Sequence, residues 1–118
     1  FPYTTLFRSS LPNVELIRLP LFESKIPLPL LIEELAKRNI TSILVEGGSE
    51  VLGSFKDMGL ADRVYAFIAP KIVGGSGAVT PIGGEGSDLI SEGWQLEQVE
   101  YKLLGPDLMI TGLVPQSE

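Results

Sequence analysis

The stretch Ile43-Leu44-Val45-Glu46-Gly47-Gly48-Ser49-Glu50-Val51-Leu52 constrains the fold of this chain more than any other. It joins a short apolar run to a carboxylate, two glycines and the first turn of a helix. The run fits a strand buried inside a sheet. Glycine adopts backbone conformations that a Cβ forbids, and it lets a ligand approach the main chain closely. A helix start offers unpaired N–H groups and a partial positive charge, which suit a phosphate. In sequence, the Glu46 carboxylate therefore adjoins an anion-binding turn.

Composition narrows what such a turn can do. The 118 residues hold one small domain. There is no Cys, and so no disulfide framework, thiolate metal site or cysteine nucleophile. There is also no His, which removes the commonest general base and metal ligand together with every Ser-His-Asp arrangement. Chemistry must then rest on carboxylates, Lys, hydroxyls, backbone groups or a bound cofactor. A net charge of −6 argues against nucleic acid as a partner, since phosphate backbones call for a basic stripe. No apolar run approaches the roughly 18 residues of a membrane span. No signal-peptide pattern is visible, so a cytoplasmic location is the expectation.

Along the chain, residues 1–10 (Phe-Pro-Tyr-Thr-Thr-Leu-Phe-Arg-Ser-Ser) resemble a translated sequencing adaptor and are read as a non-native or disordered leader. Residues 13–19 alternate as a short strand. Leu28, Leu31, Ile32 and Leu35 fall on one stripe, which predicts a helix over 28–38 with Pro29 in its first turn and Asn39 as a left-handed cap. Residues 41–46 read as a buried strand. A second helix is expected over 49–58, with Val51, Leu52, Phe55 and Met58 as its stripe and Gly59 ending it. Residues 62–70 form a further strand, apolar on both faces. Strand, helix, strand, helix at this spacing predicts α/β with parallel neighbours. Six glycines between residues 74 and 87 mark a long, mobile loop, a candidate lid. Residues 94–104 alternate with a phase slip that a β-bulge near Glu97 would reconcile. Leu104-Gly105-Pro106-Asp107 is a turn, and residues 108–114 return as the second strand of an antiparallel hairpin. Residues 115–118 are a tail.

Three motifs carry a resemblance: Leu-Val-Glu-Gly-Gly-Ser at 44–49, Gly-Leu-Ala-Asp at 59–62, and Ile-Ala-Pro-Lys-Ile-Val-Gly-Gly at 68–75. In this order and spacing, residues 11–114 resemble the C-terminal half of the reductase domain of riboflavin biosynthesis. That domain usually follows a deaminase domain in a bifunctional chain and has a dihydrofolate reductase-like fold. The resemblance implies a partial domain with a mixed, mostly parallel sheet and a C-terminal antiparallel hairpin. It implies an NADPH-dependent reduction of 5-amino-6-(5-phosphoribosylamino)uracil, ribosyl to ribityl. A homodimer is a separate expectation, and the resemblance does not set the oligomeric state. Carried over by position, Glu46 contacts substrate, and Gly47, Gly48, Ser49, Glu50, Val51, Leu52, Gly53 and Ser54 form the segment that contacts the cofactor. Asp62 is structural. The family's first half, with an early Asp-Gly-Lys motif, has no counterpart in this sequence, and no catalytic proton donor is assigned. The preference for NADPH over NADH also comes from the resemblance alone.

Each of these residues has a plainer reading. Glu46 is otherwise a solvated strand-end carboxylate, and Gly47-Gly48 a tight turn. In this fold the glycine pair is often joined by a cis peptide, so a cis or strained bond is expected here. Ser49 either caps the helix or meets phosphate. Ser54 reads as a helix-surface hydroxyl and Lys71 as a surface lysine. Trp94 and Tyr101 read as packing residues. The alternative functions are a non-catalytic dimerisation half-domain and a reductase of a folate- or pterin-like substrate.

Overall fold

The computed structural model describes residues 12–22 and 25–115. The whole of the expected leader, residue 11, residues 23 and 24, and the last three residues of the tail lie outside these. Two compact units, Phe1–Ile43 and Leu44–Glu118, are taken in turn.

In the first unit a helix, α1 (Leu28–Lys37), forms where the apolar stripe predicts it. Leu28 is buried, and Leu31, Ile32 and Leu35 are half-buried beside it. Asn39 takes φ +59, its N–H donates to Ala36 O at 2.9 Å, and Ile40 N–H donates to Leu35 O at 3.1 Å. That is a Schellman ending with Asn where glycine is commoner. The Arg38 guanidinium donates to Glu34 Oε1 (2.9 Å from Nη2) and to the Glu15 carboxylate, tying the irregular segment around Glu15 to the end of α1. Residues 13–19 contain no strand, which corrects the expectation from their alternation.

The second unit begins with residues 44–48 in irregular conformation. The strand expected at 41–46 is absent, and Leu44 is 76% exposed. An apolar run suits a strand covered on both faces, but the strand exists only where neighbours complete its ladder. Among the described residues none does. Helix α2 (Ser49–Asp57) follows. Phe55 is buried and Leu52 half-buried on its inner side, while Val51 and Met58 are exposed. It too ends in a Schellman motif: Gly59 at φ +63 donates to Lys56 O (3.0 Å) and Leu60 to Phe55 O (2.9 Å).

Three strands, β1 (Arg63–Ile68), β2 (Glu97–Leu104) and β3 (Asp107–Leu113), make one antiparallel sheet in the order β1-β3-β2. The hairpin and its turn are as expected. Leu104 pairs with Asp107, and Gly105 at φ +62 followed by proline supplies the signs of φ that a type II′ turn requires. The bulge is present too. Glu97 pairs with Leu113 and Glu100 with Thr111, so three steps on β2 match two on β3, with Gln98 at φ +48 as the inserted residue. β2 begins at Glu97, so Trp94 and Leu96 precede the ladder. The mostly parallel sheet is not found: every pairing among the named strands is antiparallel. The repeating pattern of strands and helices suggested parallel neighbours, yet β1 pairs with the last strand of the chain.

Val114 and Thr111 are buried, and Gly112 lies beneath Leu96 and Val99. A Cβ at Gly112 would come within 2.9 Å of Leu96 Cβ and 3.0 Å of the Glu97 carbonyl oxygen. Gly112→Ala is therefore expected to lower the unfolding free energy by about 1–3 kcal/mol, through overpacking. Urea denaturation followed by Trp94 emission checks this, and an unchanged midpoint would refute it.

Candidate functional site

Glu46 is exposed and sits three residues ahead of α2. No hydrogen bond involves its side chain among the described residues. Gly47 takes φ +134, a conformation that a side chain would oppose, and its peptide to Gly48 is trans. The expected cis bond is thus corrected: the freedom of Gly47 turns the chain into the helix without it. Gly48 is the N-cap at φ −61, ψ 156, and no side-chain hydrogen bond caps it. Ser49 is the first helical residue, so it does not serve as the cap. Val51 N–H donates to Gly48 O at 3.1 Å, and the N–H groups of Ser49 and Glu50 remain for solvent or a ligand. The space around Gly47 and Gly48 is open: a Cβ on either would meet no atom within 4 Å. These features suit close approach of an anionic group such as a cofactor phosphate.

The other candidate residues divide by the side of α2 they occupy. Val51 is exposed and Leu52 half-buried. Ser54 Oγ donates to Glu50 O at 2.9 Å, so its hydroxyl is turned back on its own helix. Gly53 is buried, and a Cβ there would overlap the Gly83 carbonyl. Glu50 reaches the same segment, its Oε1 lying 3.2 Å from where a Gly83 Cβ would stand. Lys71 is exposed, and so are Ile72 and Val73.

The glycine-rich loop is not free along its whole length. Gly83 N–H donates to Ser49 O (2.9 Å), and Glu85 and Gly86 N–H donate to the two carboxylate oxygens of Asp57 (2.6 and 3.4 Å). Sequence reasoning missed Asp57 and this docking. The one visible signal was a glycine, Gly53, inside a helix, where it costs about 1 kcal/mol relative to alanine. A groove of ≈ 380 Å³, lined by Gly59, Ala61, Gly93, Trp94, Gln95, Val114 and Pro115, opens near the C-terminal end of α2. It is separate from Glu46 and the helix start. Trp94 in its wall is half-buried, whereas Tyr101, also expected to be a packing residue, is 70% exposed on the edge strand β2, which corrects that expectation. Among the described residues no cluster of three or more His, Cys, Asp or Glu could hold a metal ion, and no helix is long and apolar enough to cross a membrane.

The Glu85 N–H bond holds the Asp57 carboxyl below its ordinary 3.8, assisted by Gly86 N–H and Lys56 and opposed by partial burial. A depressed carboxyl contributes stability above its unfolded value and loses it as pH falls through the folded one. The Glu85 amide resonance is thus expected to titrate with a midpoint below 3.8, and Asp57→Asn to abolish that titration. At the helix start, Gly47→Ala is expected to cost about 1–3 kcal/mol through backbone strain alone. Gly48→Ala, at an ordinary φ, stays within about 0.5 kcal/mol of the parent. Equal effects of the two in urea denaturation would contradict the assignment.

A small α/β unit with an uncapped helix start behind a Gly-Gly turn defines the class, and comparison with known proteins gives the family. The family model described as "RibD C-terminal domain" matches residues 4–110. The chain belongs to the RibD C-terminal domain family. It is 40% identical over 84 residues to riboflavin biosynthesis protein RibD of Actinobacillus pleuropneumoniae, covering 71% of this chain and 22% of that protein. It is 40% identical over 86 residues to the 2,5-diamino-6-ribosylamino-4(3H)-pyrimidinone 5′-phosphate reductase of Methanothermobacter thermautotrophicus, covering 73% of this chain and 40% of that protein. The solved structure of Acinetobacter baumannii RibD (form 2) superposes with a TM-score of 0.67 at 20% identity, over 81% of this chain and 30% of that one. That likeness shows the fold. The chain thus spans well under half the length of each of these relatives.

Proposed function

We propose that this chain supplies the C-terminal part of an NADPH-dependent reductase of riboflavin biosynthesis, acting on 5-amino-6-(5-phosphoribosylamino)uracil. The observation that carries the reading is the family match over residues 4–110, supported by a relative named as a reductase of a ribosylamino-pyrimidinone phosphate. In this reading residues 11–114 are the C-terminal part of a single reductase domain, cytoplasmic, homodimeric, and joined in a longer chain to a deaminase domain.

The residues of the helix start fit a cofactor phosphate. Gly47 and Gly48 leave the main chain bare, and Ser49 and Glu50 begin α2 with N–H groups that no side chain caps. Val51, Leu52, Gly53 and Ser54 continue the cofactor segment, with Gly53 contributing through the backbone it packs against. Bound there, a reduced nicotinamide cofactor supplies the hydride that converts the ribosyl carbon to its ribityl form. Glu46 accepts hydroxyl hydrogen bonds from the sugar chain and so orients the carbon to be reduced. No residue here is assigned to deliver the proton.

Calorimetric titration of the chain with NADPH, and in parallel with NADH, tests this. Saturable binding selective for NADPH is expected. Glu46→Ala is expected to weaken substrate binding about tenfold or more while leaving NADPH affinity unchanged, because a hydrogen bond to a charged group is at stake. A folded chain that binds neither nucleotide would remove the reductase reading for this part of the protein. The alternative, a non-catalytic dimerisation half-domain, draws on the exposed Tyr65 and Phe67 of β1 and the exposed Tyr101 and Leu103 of β2. A concentration-dependent dimer without nucleotide affinity would favour it.

A further inference from the structure

Asp57 occupies a position where helix physics disfavours it. It is the last residue of α2, where the helix end carries partial negative charge and cations are preferred. Its carboxylate is compensated from outside the helix by the consecutive N–H groups of Glu85 and Gly86. Gly84 at φ +81 and Gly86 at φ +77 curl the backbone so that these amides converge on one anion. Gly84 is needed twice over, because a Cβ there would overlap Asp57 Oδ2. Lys56 Nζ flanks the contact, 3.3 Å from Ser87 Oγ and 3.6 Å from Asp57 Oδ1.

The contact at Asp57 is one end of a longer seam. Ser49, Gly53 and Asp57 recur every fourth residue and so share one face of α2. Ser49 O holds the Gly83 N–H, Gly53 lies directly against the Gly83–Gly84 peptide, and Asp57 holds Glu85 and Gly86. One end of the seam is Asp57. The other is the first turn of α2, where Glu50 and Gly83 approach each other.

We propose that Asp57 is a positioning residue that latches residues 83–86 along α2 and thereby sets the wall beside the ligand site at the helix start. This rests on the reading of that start as the cofactor site. Asp57 itself touches no ligand in it. Its influence travels through the Gly83–Ser49 bond at the far end of the seam.

Amide hydrogen exchange on the whole chain, without ligand, tests the latch directly. In Asp57→Ala, exchange at Glu85 and Gly86, and also at the remote Gly83, is expected to accelerate about tenfold. Asp57→Asn, which keeps one acceptor oxygen, should fall between Ala and the parent, and amides inside α2 should not change. Gly53→Ala provides a second route. It improves helix propensity but wedges the segment off the helix, so Gly83 exchange should rise with the carboxylate intact. Unchanged Gly83 exchange in both Ala variants overturns the proposal. The ligand arm is NADPH affinity, expected to fall about tenfold in Asp57→Ala with partial recovery in Asn. An affinity that stays constant while Gly83 exchange rises overturns the positioning role. If the parent chain binds no NADPH, the reductase reading fails on its own account, and Gly83 exchange alone decides the latch.

Discussion

The second unit depends on β3. Among the described residues it is the one strand paired along both edges: β1 and β2 each pair with it and not with each other. The ladder closes at its far end with Val114 N–H on Asp62 O at 2.9 Å. Two-sided pairing satisfies the backbone of residues 107–113 and leaves Thr111, Gly112 and Val114 buried. Gly112 has no side chain to hold Leu96 and Val99 away, and the bulge at Gln98 bends β2 so that both can cover it. The hairpin turn, the bulge and the missing Cβ thus serve one end, a central strand that both neighbours can reach.

The same arrangement leaves a thin core. Among the described residues no large side chain is fully buried, while Phe67 and Leu103 are well exposed and Ile72 and Ile90 wholly so. Apolar surface of this extent marks faces that meet other protein or ligand. The outer edges of β1 and β2 have no strand partner among the described residues, which adds unpaired backbone groups to the apolar side chains. These faces flank the sheet, whereas the candidate ligand site sits at the start of α2 in open space. The exposed sheet faces and the candidate site at the helix start are therefore different surfaces of the unit.

What could be read from sequence was what is decided locally. Both helices, their left-handed caps at Asn39 and Gly59, the Gly105-Pro106 turn and the bulge near Glu97 depend on residues a few positions apart, and all were found where the pattern placed them. Residues 13–19 and 41–46 have the composition of strands, but a strand is a property of two segments, and none of the described residues offers them a ladder. The parallel sheet failed for a related reason: order along the chain does not say that β1 will pair with β3. At the site, Glu46 and the Gly-Gly turn stood out by residue type. Gly53 entered the cofactor segment by resemblance, and its packing against the Gly83–Gly84 peptide was not legible because that partner is thirty residues away and is itself glycine. Asp57 was passed over because a carboxylate at a helix end looks like solvated surface until the amides facing it are known.

The two ends of α2 then pose one electrostatic question with opposite answers. At the start, the peptide dipoles present partial positive charge on N–H groups that no side chain caps, and open space lies around Gly47 and Gly48. Glu50, in that first turn, leans toward Gly83. At the end, where the dipole is negative, the chain places an aspartate and must supply donors to hold it, and it draws them from a loop nearly thirty residues away in sequence. A lysine at position 57 would favour the helix end by charge alone, but it would offer the Glu85 and Gly86 N–H groups no acceptor. The aspartate is understandable only if docking that loop is worth more than the local electrostatic cost. The docked loop runs back along α2 to Ser49, where the uncapped turn begins.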